Sequence, residues 1–146
     1  MSGIIGIDPG QSGGIVLLTN SGEVVARVKM PETETDILHY LELWKPEQPT
    51  VFLEIVHSLP GNKAQSMFKF GTNYGAIRMA VLSCRYRLEG VRPQEWQKAM
   101  KCLTKGDKNV SKARAQELFP HIPMTHAIAD AFLIAEYGRR QILGEL

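Results

Sequence analysis

Cysteine is scarce. The 146 residues hold two, Cys84 and Cys102, and their spacing is not that of a metal-binding pair, which excludes a zinc ribbon and a disulfide framework. Free thiols in a reducing cytosol are the expectation. No apolar run approaches the roughly 20 residues that a membrane-spanning helix needs. No basic leader precedes the first apolar run, so the expected location is cytoplasmic, with a phage-encoded origin equally compatible. Internal repeats and low-complexity stretches are absent, which excludes solenoids and disordered tails. Charge of one sign is also missing: the net charge is only +2, so any nucleic-acid surface must come from the distribution of charge and not from its sum. The 44% hydrophobic and 22% charged fractions are ordinary. The length suits one core, and a single domain over 1–146 is expected.

What the chain does have is three lone acids in apolar surroundings. Ile4-Ile5-Gly6-Ile7-Asp8-Pro9-Gly10 reads as a buried strand ending in a carboxylate and a tight turn. Asp8 either caps that corner, which is ordinary turn chemistry, or is a ligand for something positive. Thr50-Val51-Phe52-Leu53-Glu54-Ile55-Val56 is a second apolar run broken by one acid. The third is His126-Ala127-Ile128-Ala129-Asp130-Ala131-Phe132-Leu133-Ile134-Ala135, a helical segment in which His126 and Asp130 share one face. Each acid alone has a bland reading: Glu54 as a surface group at a strand end, Asp130 as the partner of an arginine. Taken together they point to one centre for hard divalent cations, which prefer oxygen ligands and substrate phosphates.

Basic residues gather elsewhere. Lys98, Lys101, Lys105, Lys108, Lys112 and Arg114 lie between residues 98 and 114, opposed only by Asp107, with Gly106 and Asn109 placing part of the stretch in a loop. Lysines of this kind can contact phosphates without reading sequence, and a basic loop that is merely solvated is the alternative reading. Lys101, Lys105, Lys108 and Lys112 are therefore candidate DNA contacts. His57 and Lys63 join them, because loops directly after a catalytic strand often meet substrate. Arg139-Arg140 is expected to complement the dipole of the last helix.

The element pattern is β-β-β-α-β-α-β-α. Strands are predicted near 3–8, 13–19 and 22–30, a helix over Thr33–Leu43 capped by Thr33 or Thr35, and a strand near 50–55. A helix then runs from about Lys63 to Ser83, with Met67, Phe70, Tyr74, Ile77 and Val81 as its apolar stripe and Gly71 and Gly75 permitting close approach. A fifth strand spans 86–91, a short helix opens at Pro93, and helices follow near 111–118 and 125–141, the latter with Thr125 as N-cap. Trp96 reads as core. His39 and His121 read as surface residues.

Gly-Ile-Asp-Pro-Gly, the Leu-Glu strand end and the Ala-Asp-Ala of the last helix, in that order, resemble RuvC-type Holliday junction resolvases of the RNase H-like superfamily. Met67-Phe68-Lys69-Phe70-Gly71, Tyr74-Gly75 and Val91-Arg92-Pro93-Gln94-Glu95-Trp96-Gln97-Lys98 extend the likeness over nearly the whole chain. The resemblance implies an α/β RNase H-like fold: a mixed five-stranded sheet, three antiparallel strands then two parallel, flanked by helices. It implies two Mg2+ ions per site (or Mn2+), four-way junction DNA as substrate and a homodimer built on the 63–83 helix, where Phe70, Tyr74 and Ile77 offer contact. Asp8, Glu54 and Asp130 match the family's carboxylates, and Lys112 matches a basic position near its active centre. The fourth ligand of that family commonly stands three residues before the last aspartate. Here that position is Ala127, and His126, four before, is the candidate for ligation or proton handling. The family's aromatic wedge has His57 in its neighbourhood, with Phe68 and Phe70 following later. The competing readings are a related nuclease acting on branched DNA or structured RNA, and a protein that binds junctions without cutting. An actin-like sugar kinase is excluded, since it needs two large lobes.

Overall fold

The computed structural model describes residues 2–56 and 61–146. Strands β1 (Gly3–Asp8), β2 (Gly14–Thr19) and β3 (Val24–Lys29) are followed by helix α1 (Glu34–Leu43) and a 3-10 turn at Lys45–Glu47. Strand β4 (Thr50–Glu54), helix α2 (Ala64–Ser83), strand β5 (Arg87–Val91) and helices α3 (Pro93–Ala99), α4 (Lys108–Leu118) and α5 (His126–Leu143) complete the order. The sheet runs β3-β2-β1-β4-β5. β1–β2 and β2–β3 pair antiparallel, whereas β1–β4 and β4–β5 pair parallel. This is the expected mixed sheet.

Period-two alternation sorts the strand side chains into two layers. Ile5, Ile7, Ile15, Leu17, Val51 and Leu53 face α1 and α2. Ile4, Val16, Leu18 and Phe52 face α5, backed by α3 and α4. Because both faces are covered, β1 and β2 read as near-continuous apolar runs. Helix α5 lies inside the molecule: Ile128 to Gly138 are buried apart from Asp130. That burial explains a helix apolar all round.

The close fit of α5 on the sheet rests on missing side chains. A Cβ on Gly6 would fall under 3.0 Å from the Ala131 carbonyl oxygen and the Ala135 amide, which are backbone atoms that cannot swing aside. At Gly14 it would meet the Ala127 carbonyl oxygen at 2.7 Å, and Gly138 makes room for the Phe52 ring. At its far end α5 is locked by Glu136, whose buried carboxylate accepts from Arg139 and Arg140 at 2.8 Å each. Burial alone would raise the Glu136 pKa, yet these hydrogen bonds pull it below the usual value. Arg139 also donates to the Asn20 carbonyl at 3.1 Å. The arginine pair thus serves a buried carboxylate more than the helix dipole.

Several expectations need correction. Helix α4 starts at Lys108, not near 111, because Asp107 caps it by accepting from the Asn109 amide at 2.9 Å. Asn109 and Lys108 are therefore helical and not in a loop. Thr33 caps α1 as expected, but Thr125 holds the N-cap position of α5 without a side-chain capping bond. Gly71 and Gly75 meet no other element among the described residues: a Cβ on either would find no such atom within 4 Å. On α2, Ile77 and Val81 are buried against the sheet and Tyr74 packs beside them, so the stripe expected to offer a dimer contact is largely spent on the core. His39 and His121 are exposed and Trp96 is buried, as predicted.

Gly6→Ala should destabilise the fold by about 2 kcal/mol or more, the upper part of the usual overpacking range. Gly71→Ala, on an open helical surface, should stabilise it by about 0.5–1 kcal/mol. Urea denaturation followed by circular dichroism checks both. A Gly6→Ala loss below about 0.5 kcal/mol would mean that α5 is not seated on β1 in this way.

Candidate active site

β1 and β4 are parallel neighbours in the register Ile4↔Thr50 to Ile7↔Leu53. The next pair is Asp8 and Glu54, so the two acids end adjacent strands at the carboxyl edge of the sheet, where ligands of open α/β sheets collect. Both follow the alternation of Ile4 and Phe52, which puts them on the α5 side. The Gly14–Ala127 and Gly6–Ala131 contacts set the first turns of α5 over that edge. Asp130 lies between these contacts in sequence.

The three acids lie near enough to influence one another electrostatically. Burial raises the Asp8 pKa well above its ordinary value, and repulsion from Asp130 and then Glu54 raises it further, with Lys108 opposing. Burial pushes Glu54 up to about 7 against the hydrogen bond from Trp96, and Asp130 adds to the rise. Burial raises Asp130 too, moderated by a hydrogen bond from Ser111 and by the charges of Lys108 and His126. Uncompensated carboxylates this close in a low dielectric demand positive charge.

The sequence candidates separate into two groups. Asp130 is within electrostatic reach of Asp8, Glu54, His126 and Lys108, and Asp8 also of Glu54 and Lys108. Lys108, at the start of α4, is the lysine whose charge acts on Asp8 and Asp130, not Lys112 one turn later. Lys101 and Lys105 are exposed on the connection between α3 and α4, both with left-handed backbone (φ 59° and 48°), and Lys112 is half-buried on α4. Lys63 is exposed at the N-cap of α2. His57 lies outside the described residues.

Three supporting residues had no functional signal in the sequence. The Trp96 indole donates to Glu54 at 2.6 Å across 42 positions. Ser111, buried on α4, lies near enough to Asp130 to lower its pKa, while its hydroxyl donates to the Lys108 carbonyl at 3.2 Å. Asn73 on α2 accepts from the Gly10 amide at 2.8 Å and so ties that helix to the turn after Asp8. Each contact joins elements distant in sequence, so no local pattern announces it. A cleft of about 540 Å3 opens beside Glu54, walled by Ile55, Val56, Met67, Phe70 and Pro93 with Arg92 at its lining.

Two solved structures of RuvC from Thermus thermophilus are similar to this chain over nearly all of both molecules. One, in complex with a Holliday junction substrate, gives a TM-score of 0.71 at 17% identity, covering 99% of this chain and 98% of that one. The other gives 0.70 at 18% identity, covering 98% and 97%. The chain has the RuvC fold. No protein-family model and no curated protein matches the sequence. At such identity the likeness concerns the RuvC fold alone, and the chemistry of the site must be argued from its own residues.

The donor set fits a hard divalent cation: three carboxylates, one imidazole and no thiolate. Cys102 lies near Asp130, but burial and that negative charge raise its pKa to about 11, so it stays a neutral thiol. Among the described residues no three His, Cys, Asp or Glu side chains already form a ligating cluster. Asp8, Glu54 and Asp130 nevertheless lie within electrostatic range of one another, and rotation of their side chains would bring such a cluster together.

A pH signature follows. Folded carboxyls with raised pKa bind protons more tightly than unfolded ones, so their contribution to stability falls as pH rises from the ordinary value near 4.5 towards about 7. Metal-free protein should therefore melt lower at about pH 8 than at about pH 5. Millimolar Mg2+ should raise Tm by several degrees at the higher pH and far less at the lower, where protons already neutralise the site. Differential scanning fluorimetry reads both. An equal Mg2+ effect at the two pH values would count against a shared carboxylate centre.

Proposed function

We propose that this chain is a divalent-metal-dependent endonuclease that resolves four-way DNA junctions by paired phosphodiester hydrolysis. The observation that carries the reading is the placement of Asp8 and Glu54 at the ends of adjacent parallel strands, with Asp130 on the helix seated over that edge of a RuvC-like sheet; burial raises the pKa of all three, and repulsion adds to the rise at Asp8 and Glu54. Asp8, Glu54 and Asp130 would hold two Mg2+ ions, or Mn2+, with His126 completing the set or handling a proton. When bound, such ions supply water activation and stabilise charge on the phosphate during in-line displacement.

The chain's own residues account for the rest. Asp8 is central, since its carboxylate feels both other acids. Lys108 offsets part of the negative charge and stands where a phosphate would approach. His126 is exposed at the first position of α5 beside Asp130, where its imidazole can take a proton from an attacking water or give one to a leaving oxygen. Lys101, Lys105 and Lys112 form the positive approach for flanking phosphates, and Lys63 does so from the α2 side. The RuvC complex with a Holliday junction substrate, similar over the whole chain, supports the choice of junction DNA.

Paired cuts on one junction require two centres, and this chain carries one, so a homodimer is part of the proposal. The contact belongs on the open face of α2. Phe68, Met79 and Leu82 are 77%, 62% and 51% exposed, and Gly71 and Gly75 lie between them with clear space above. Their steps of three and four residues put all five on one side.

Asp8→Asn should abolish cleavage of a synthetic four-way junction in Mg2+ while leaving junction binding within about threefold, since the basic surface is untouched. A gel assay on junction, flap, fork and RNA hairpin substrates reads the cleavage and the substrate class together. Near-normal cutting by Asp8→Asn would remove the metal reading. Preferred cutting of the hairpin would move the function to RNA.

Sedimentation at micromolar concentration should give a dimer for the wild type. Gly75→Leu, which adds bulk to an open face without touching the chain's own core, should give a folded monomer. A wild-type monomer that still makes symmetric paired cuts would sink the dimer proposal.

A further inference from the structure

Trp96 is fully buried, packed in the layer that contains Val91, Met100, Cys102 and the inner residues of α4 and α5. A ring in such a place is held to one orientation by its neighbours. Its polar atom is nevertheless committed to the active centre: the indole Nε1–H donates to Oε2 of Glu54 at 2.6 Å. Indole nitrogen can only donate, so the bond has one sense and suits a carboxylate acceptor. Among the described residues no other side chain donates to Glu54. Glu54 needs such a hold, because it ends a strand, stands half-exposed beside the cleft, and has a long flexible side chain. Pro93 at the first turn of α3 fixes where that helix begins, immediately after β5, the strand paired with β4. The donor thus rides on a frame registered to the same strand as its acceptor.

We propose that Trp96 is a positioning residue: its indole N–H anchors Oε2 of Glu54 and leaves the other carboxylate oxygen aimed at the centre shared with Asp8 and Asp130, so that Glu54 meets a divalent cation in one orientation. This rests on the reading above that these acids hold such a cation. Partners of metal ligands generally matter in this way, and losing one costs about 10- to 100-fold in affinity.

The test removes the N–H and little else. Tryptophan 96 is replaced by 3-benzothienylalanine, which keeps the bicyclic shape with sulfur in place of N–H; Trp96→Phe is the genetically encoded companion. Mn2+ binding to the protein alone is measured by electron paramagnetic resonance of free Mn2+, with thermal melting as the control for folding. The isostere should melt as the wild type does and bind Mn2+ about 10- to 100-fold more weakly. Its kcat on a four-way junction should fall, while junction affinity measured in Ca2+ stays unchanged. In a Trp44→Phe background Trp96 is the sole tryptophan, and Mn2+ should quench its fluorescence with the same affinity. Should the wild type bind Mn2+ and the isostere bind it equally well, the positioning role is overturned while the metal reading stands. Should the wild type take up no Mn2+, both fall together. If Trp96→Phe fails to fold, the isostere, with its volume kept, decides.

Discussion

The backbone-to-backbone approach of α5 to β1 and β2 is the constraint on which the rest of this structure depends. Gly6 and Gly14 let the helix settle where any side chain would collide with the carbonyls of Ala131 and Ala127. That seating carries Asp130 to the strand ends that bear Asp8 and Glu54. Helix α5 must also be almost wholly apolar, since it is covered by the sheet on one side and by α3 and α4 on the other. One acid in the middle of such a helix is tolerable because Ser111, Lys108 and His126 each act on it.

The site and the core are therefore one problem in energetics. Burial opposes ionisation of all three carboxylates and repulsion adds to it at Asp8 and Glu54, so ionising them in the folded chain is unfavourable at neutral pH. Stability has to come from the apolar layers on both faces of the sheet and from locks such as Glu136 with its two arginines. Glu136 and Glu54 show the two fates of a buried acid in this chain. The first has two guanidinium partners and a lowered pKa, and it orients Arg139, which donates to the Asn20 carbonyl of the β2–β3 turn. The second has one neutral donor and a raised pKa, and it remains available to a cation.

Much of the architecture was legible. Apolar runs bounded by Pro-Gly and Asn-Ser-Gly mark β1 and β2 because both faces are covered, and the stripe of α2 has the period of a helix that lies on a sheet. The misreadings share a cause. Asn109 looks like a loop residue, but Asp107 caps the helix and draws Asn109 into its first turn. Gly71 and Gly75 permit close approach of a neighbour, yet among the described residues of the chain none comes near them, because a glycine pair in a helix records only that some neighbour could. Phe70, Tyr74 and Ile77 look like a surface for a partner, whereas the chain's own sheet claims most of that stripe and leaves Phe68, Met79 and Leu82 outside.

By itself the sequence determined the elements, their order, the layers of the sheet and the identity of the lone acids. These follow from periodicity and from the cost of placing a carboxylate among apolar residues, both of which are local properties. Only the tertiary structure decided that Lys108 stands near the acids, that Trp96 bonds Glu54, that Ser111 lies beside Asp130 and which face of α2 stays open. Such contacts join residues tens of positions apart, and their geometry depends on how closely two backbones pack. That distance is set by the absence of a Cβ at Gly6 and Gly14, and it acquires meaning only when the opposing helix is in place.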